Sequence, residues 1–219
     1  MTGCRGGIGR AIQARLEREG YEVEPLDLVD GFDVADPAAW ERVGPVDLAC
    51  LNAGVLTGET DPRSLSFEAY RRAVSVNVDG VVLGVSRLAR VMESGSIIVT
   101  ASLAGLTAMP SDPVYSLCKH ALVGYVRSVA PRLEPLRINA VCPGIADTPM
   151  VDAQREALAG FPLVAPEAVA DAVWRAATSG RSGEAWFVQP GREPAPFRFP
   201  NVPGPRVEGE PVGSPPLAV

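Results

Sequence analysis

The 219-residue sequence predicts a single α/β domain with a Rossmann-type, doubly wound parallel sheet. Three observations carry that expectation. A glycine turn, Gly3, Gly7 and Gly9, opens straight into a helical period marked by Ile8, Ile12 and Leu16. Short apolar runs then alternate with helix-length segments along most of the chain. An acid, Asp27, lies eighteen residues past Gly9 at the end of the second extended run, where a carboxylate can accept hydrogen bonds from an adenosine ribose and repel a 2′-phosphate.

The first helix is expected to end near Gly20, and Tyr21 to Leu28 reads as a short strand. Glycines at the turn before the helix let backbone approach a phosphate, and the helix N-terminus supplies free N–H groups. Asp36-Pro37 is a cap followed by a first-turn proline, so a short helix starts there and stops by Gly44-Pro45. Val46 to Leu51 is a third strand, ending in Asn52, Ala53 and Gly54, small residues that a flat ligand can approach at a strand's carboxyl end. After a polar loop, Phe67 to Met92 is one long helix or two joined ones. It carries Asn77 in an apolar setting, either a satisfied core amide or a placed one.

Ile97 to Thr100 is a strand, Leu117 to Val129 a helix and Arg137 to Val141 a further strand running into Pro143, Gly144, Ile145 and Thr148. Glu156 to Gly160 reads as a short helix and Pro166 to Ala177 as a clearer one, with Val169, Ala170, Val173 and Trp174 on one side. Ala185 to Val188 is the last strand, which sets the domain at residues 1–190 and leaves 191–219 as a proline- and glycine-rich tail. Phe197 and Phe199 can pack the first half of that tail over the ligand edge of the sheet; from Val202 onward a loose arm is expected.

Hydrophobic content of 47% and charged content of 21% are ordinary for a globular chain, and the net charge of −6 argues against a general nucleic-acid surface. Cys4, Cys50, Cys118 and Cys142 form no C-x-x-C pair, and with His120 as the one histidine no metal site is expected. Free buried thiols in a reducing, cytoplasmic compartment are the simpler account. No run of 18 apolar residues is present to span a bilayer, and no membrane partner is expected.

The chemistry concentrates between Ser102 and Lys119. Tyr115 and Lys119 stand four apart and share a helix face if both lie on the first turns. An ammonium beside a phenol favours the phenolate, lowering a pKa that near 10 makes tyrosine a poor acid or base at neutral pH. Ser102, at the end of the preceding strand, can offer its hydroxyl to the same substrate oxygen. Alone, the Tyr-x-x-x-Lys pair is equally a surface helix pair.

Taken together these segments resemble the classical short-chain dehydrogenase/reductase family over nearly the whole chain to Val188. Its glycine turn matches Thr2, Gly3, Gly7, Ile8 and Gly9; its ribose-binding acid matches Asp27; and its adenine-side Asp-Val matches Asp33 and Val34. Its Asn-Asn-Ala-Gly turn matches Asn52, Ala53 and Gly54, with Leu51 in place of the first Asn. The resemblance implies a catalytic set of Asn77, Ser102, Tyr115 and Lys119, with Pro143, Gly144, Ile145 and Thr148 near the nicotinamide. It implies NAD as cofactor, NADP being disfavoured by Asp27 although Arg5 could meet a phosphate. It also implies an alcohol or ketone as small-molecule substrate, and a homodimer or homotetramer through the long helices, with Val123 and Tyr125 toward the outer side. Segments 102–106, 113–120 and 137–144 are most similar to the hydroxyprostaglandin dehydrogenase branch. Asp112 stands where that branch's human enzyme has a substrate-side glutamine, so its substrate is not carried over.

Two departures stand out. The family's apolar first strand, central in its sheet, has no counterpart ahead of Thr2. Losing such an element removes a hydrogen-bond ladder and its burial, a heavy loss against a typical stability of ~5–15 kcal/mol. The expectations are residues further upstream, a structural substitute, or a weakened fold. The segment from Thr148 to Pro166 is also short for a substrate lid, which leaves the pocket open. A nucleotide-binding homologue without turnover and an NADP-linked carbonyl reductase are the rival readings.

Overall fold

A computed structural model describes residues 1–201. Five strands form one sheet in the order β1 (Leu48–Leu51), β2 (Ser96–Thr100), β3 (Arg137–Pro143), β4 (Ala185–Val188) and β5 (Ala195–Pro196). The first four are parallel, and β5 returns antiparallel along β4. Helices cover both faces, so the central strands are apolar on both sides. Ile97, Val99, Ile138 and Ala140 point into one core layer, with Trp40, Val85, Leu88, Leu122 and Val126. Cys50, Ile98 and Val141, one residue out of step, point into the other, with Ile12, Leu16, Val169 and Val173.

The helices are α1 (Gly7–Arg18), α2 (Pro37–Trp40), α3 (Phe67–Val74), α4 (Gly80–Val91), α5 (Pro113–Val129) and α6 (Pro166–Thr178). Asp36 caps α2 by accepting from the Ala38 N–H at 2.9 Å, as the Asp-Pro pair predicts. The long helical stretch is two helices joined by a π-helical turn, Ser75–Asp79, which carries Asn77.

The segment from Tyr21 to Leu28 forms no strand. Leu26 is bridged only to Thr2, and Thr2 is bridged in turn to Leu51 of β1. A strand needs a continuous neighbour, and among the described residues Met1 and Thr2 are the whole backbone in the lane between 21–26 and β1. That stub is well bonded. The Leu26 N–H donates to Met1 O at 2.8 Å, the Thr2 N–H to Cys50 O at 2.9 Å and the Gly3 N–H to Leu26 O at 3.0 Å. Beyond it lies a cleft of about 220 Å³ between the two segments, walled by Val23, Leu26, Trp40, Val46, Leu48 and Leu88.

Three further expectations are corrected. Residues 156–160 form turns, and the helical piece precedes them as a 3-10 run, Pro149–Gln154, started by the proline. Val123 faces inward, 4% exposed, because α5 packs there on the turn around Gly105. The tail runs back down the outer edge of the sheet and away from its ligand edge: the Phe197 N–H donates to Ala185 O at 2.7 Å, and Phe199 stacks on the Arg127 guanidinium of α5, 3.8 Å from the ring centroid. The arm expected from Val202 lies outside the described residues.

Candidate active site

The carboxyl ends of β1, β2 and β3 converge on one edge, and the chemistry-bearing residues stand there. Ser102 leaves β2 fully extended and caps the 3-10 turn Leu103–Gly105, its Oγ accepting from the Ala104 N–H at 3.1 Å. The same hydroxyl reaches Pro143 O at the end of β3, at 3.4 Å. Across from it, α5 starts at Pro113 and brings Tyr115 and Lys119 onto its inner face. The turn and helix approach closely: a Cβ on Gly105 would sit 2.8 Å from the backbone carbon of Lys119. Lys119 is buried, its Nζ donates to Thr100 O at 2.9 Å, and it lies 5.3 Å from the centroid of the Tyr115 ring.

Asn77 completes the group from the π-helical turn, a distortion frequent at functional sites. Its amide is wholly engaged: Nδ2 donates to Val55 O at 2.9 Å and Ala73 O at 2.8 Å, and Oδ1 accepts from the Val55 N–H at 3.2 Å. A Cβ on Gly54 would come within 2.9 Å of Asn77 Oδ1 and 3.4 Å of Lys119 Nζ, so this glycine permits the packing of β1's exit on both. Of the two alternatives for Asn77, the satisfied core amide is the one these bonds show.

The expected lowering of the tyrosine pKa is absent. Burial pushes the Tyr115 phenol up to about 12; the Ser102 hydroxyl acts in the opposite direction, and the Asp112 carboxylate adds to the rise. Lys119 commits a proton to a backbone carbonyl and lies over the ring face. Its own pKa is driven down by burial to about 8.

The glycine turn forms beside this group. Thr2 Oγ1 accepts from the Asn52 N–H at 2.9 Å and the Ala53 N–H at 3.1 Å, and Asn52 in turn donates to Gly3 O and accepts from Thr100 Oγ1. Gly3 has a positive φ of 64° and lies so close to Ala53 that a Cβ would fall 2.8 Å from its Cα. A Cβ on Gly7 would strike the Thr148 side chain, and one on Gly9 would sit 2.8 Å from Cys4 Cα. Gly7 begins α1, and the turn from Gly3 to Gly7, seated against Ala53 and Thr148, forms a glycine cradle ahead of that helix's N-terminus. That cradle fits a dinucleotide's phosphates.

Asp27 sits against the same turn, accepting the Arg5 N–H at 2.9 Å and capping the short turn after it. The Arg5 side chain is paired with Asp30 at 2.9 Å. Asp33 caps its own turn through the Ala35 N–H, and Val34 is buried against Gly80. Gly144 and Ile145 are held by the Gly144 N–H to Val188 O and the Val164 N–H to Ile145 O, which place this segment over the edge of the cradle beside Thr148. Sequence reasoning did not foresee the Thr100 carbonyl that holds Lys119, nor the buried engagement of Asp112 with Thr57 and Gly58. The second carried a signal, since Asp112-Pro113 repeats the cap-and-proline pair recognised at Asp36-Pro37.

The sequence profile of the short chain dehydrogenases matches residues 33–159, and this chain belongs to that family. Zerumbone synthase of Zingiber zerumbet is 35% identical over 202 residues, covering 74% of this chain and 75% of that protein. Levodione reductase of Leifsonia aquatica is 29% identical over 187 residues, 69% of this chain and 70% of that protein. A crystal structure of levodione reductase superposes with a TM-score of 0.78 at 25% identity, covering 87% of this chain and 95% of that one.

Proposed function

We propose that this protein is an NAD-dependent oxidoreductase that interconverts a secondary alcohol and its ketone on a hydrophobic small molecule. The observation that carries the reading is the convergence of Ser102, Tyr115, Lys119 and Asn77 at the sheet edge beside a glycine cradle. NAD supplies or accepts the hydride when bound. The turn from Gly3 to Gly9, with Asn52, Ala53, Gly54 and the Pro143–Thr148 segment, holds and orients it. Ser102 donates to the substrate oxygen and steadies charge growing on it. Tyr115 exchanges a proton with that oxygen; its neutral phenol at working pH is set to donate to a carbonyl. Lys119, fixed by Thr100 O, provides the positive charge behind the phenol, and Asn77 fixes the loop that closes over both.

Preference for NAD rests on Asp27 at the ribose position and on the pairing of Arg5 with Asp30, which occupies the cation a 2′-phosphate would need. The apolar surface on α3 to α5 supports a homodimer or homotetramer: Phe67 is 71% exposed and Leu117 53%. Four buried free thiols suit a reducing, cytoplasmic setting. Residues 1–190 form the catalytic unit, and the described part of the tail after it, 191–201, runs along β4. The similarity to the hydroxyprostaglandin dehydrogenase branch concerns the segments framing the cofactor. The relatives named dehydrogenase and reductase support oxidoreduction, including one named for cis-4-hydroxycyclohexanecarboxylate.

The test is a fluorescence titration with NADH and NADPH, followed by a screen of cyclic secondary alcohols and ketones. The reading predicts tighter NADH binding and nucleotide-dependent turnover. Binding without turnover of any carbonyl or alcohol would favour a nucleotide-binding homologue, and tighter NADPH binding the NADP-linked reductase.

A further inference from the structure

Asp112 is 3% exposed, and no cation among the described residues pairs with it. A buried carboxylate is costly unless its oxygens are hydrogen-bonded. Both oxygens are. Oδ1 accepts from the Thr57 hydroxyl at 2.7 Å and the Tyr115 N–H at 2.9 Å; Oδ2 accepts from the Thr57 N–H at 2.8 Å and the Gly58 N–H at 3.3 Å. One end of this carboxylate therefore caps α5 at the residue whose side chain carries the phenol. The other end ties down a loop more than fifty residues away in sequence. That loop is fixed a second time two residues earlier, where Asn77 grips both backbone groups of Val55. Val55 to Gly58 thus runs as a strap between the π-helical turn and the N-terminus of α5.

We infer that Asp112 is a positioning residue: it clamps the Val55–Gly58 strap onto the first turn of α5 and so fixes the backbone that carries the Tyr115 phenol. Its hydrogen-bonding positions are spent on the protein, and its charge near the phenol disfavours the phenolate. The inference builds on the role proposed for Tyr115. The groups facing that phenol are Asp112, Cys118 and Lys119 of α5, Ser102 at the exit of β2 and Cys142 of β3. Asp112 is the carboxylate among them.

The test uses the full chain with Asp112→Asn and, as a milder variant, Thr57→Val. An asparagine keeps the shape, but its NH2 group must face at least one backbone N–H donor, and the charge is removed. Native-state hydrogen exchange should show the Thr57, Gly58 and Tyr115 amides exchanging at least about tenfold faster in Asp112→Asn, with α1 and β2 unchanged. Thr57→Val loses one hydroxyl bond and should loosen the same amides by less. The second readout is a titration of fluorinated tyrosine placed at position 115, whose lower intrinsic pKa brings ionisation into the range where the protein stays folded. Asp112→Asn should move the midpoint to lower pH, and Thr57→Val should leave it in place. Unchanged exchange at 57, 58 and 115 in both variants would overturn the clamp. An unmoved midpoint in Asp112→Asn, or an equal move in Thr57→Val, would overturn the electrostatic part. If Asp112→Asn does not fold, the exchange pattern of Thr57→Val decides the clamp, and Asp112→Ser, which keeps a capping oxygen without the charge, decides the electrostatic part by whether its midpoint falls. Neither readout needs nucleotide or substrate, so failure of every turnover assay would remove the proposed reaction and leave this result standing.

Discussion

The two sides of this sheet are held in different ways. On the side of β2, β3 and α5, strands pair over their full length, with Ser96 to Thr100 opposite Arg137 to Val141. Ile97, Ile98, Val99, Ile138 and Val141 are each at most 1% exposed. On the side of the glycine turn, the described residues join 21–26 to β1 by bridges through Thr2, with a cleft beside them. The first side carries Ser102, Tyr115 and Lys119; the second carries the residues suited to a nucleotide. The proposed substrate chemistry is thus mounted on a closed ladder, and the proposed nucleotide site on single bridges. The two should therefore fail separately.

Tyr115→Phe separates them most sharply. It deletes the proton-transfer group from the rigid side without touching the glycine cradle. Turnover should fall by about 10²–10⁴-fold, while NADH affinity stays within about twofold of the parent. Loss of both together, measured by single-turnover kinetics and fluorescence titration, would mean that the halves are not independent.

The converse change strengthens the weak side. Fusing five or six alternating Val and Ile residues ahead of Met1 places apolar side chains and a backbone ladder in the lane between 21–26 and β1. Each buried side chain contributes roughly 1.5–3 kcal/mol against about 1–2 for ordering its backbone, a net gain of a few kcal/mol. The unfolding midpoint should rise, and NADH should bind more tightly. A fusion of the same length in Ser and Gly is the control; equal stability in both would show that the cleft does not accept a strand.

Thr2→Ala probes the stub itself. Its Oγ1 accepts two N–H groups, from Asn52 and Ala53. Leaving them without a partner should cost about 1–3 kcal/mol, read in urea unfolding, and weaken nucleotide binding more than it slows turnover at saturating NADH.

The same contrast decides what was legible in the sequence. Helices with caps were plain, because Asp36-Pro37 and the periods of α1 and α6 are local signals. Strands β1 to β4 were legible as apolar runs buried on both faces. The segment 21–28 misled because a strand is a property of two paired segments: its own residues alternate, yet among the described residues it is bridged at Leu26 alone. The tyrosine pKa misled for a related reason. Spacing puts an ammonium near a phenol, but the direction is decided by the depth of burial, which the tertiary packing of α5 sets. The four candidates that the family motifs single out, Asn77, Ser102, Tyr115 and Lys119, stand at one edge of the sheet.

The smallest expected effect belongs to the rigid side and is read as stability against pH. Lys119 has an ordinary lysine pKa of 10.5 when unfolded and about 8 when folded, because burial disfavours its charge. Between those values the unfolded chain binds more protons than the folded one, so stability must rise with pH. The burden is full below pH 8, where the buried ammonium is charged, and is relieved as pH climbs toward 10.5. From pH 7 to 9 the gain is about 1 kcal/mol. Tyr115, raised to about 12, acts the other way only above pH 10, where the unfolded phenol ionises first. Lys119→Met removes the lysine contribution and nothing else that titrates in this window. The difference in urea-unfolding free energy between parent and variant should therefore change by that amount from pH 7 to 9, with the parent gaining. A flat difference would mean that water reaches Lys119, and that the side of the sheet carrying the chemistry is looser than its ladder.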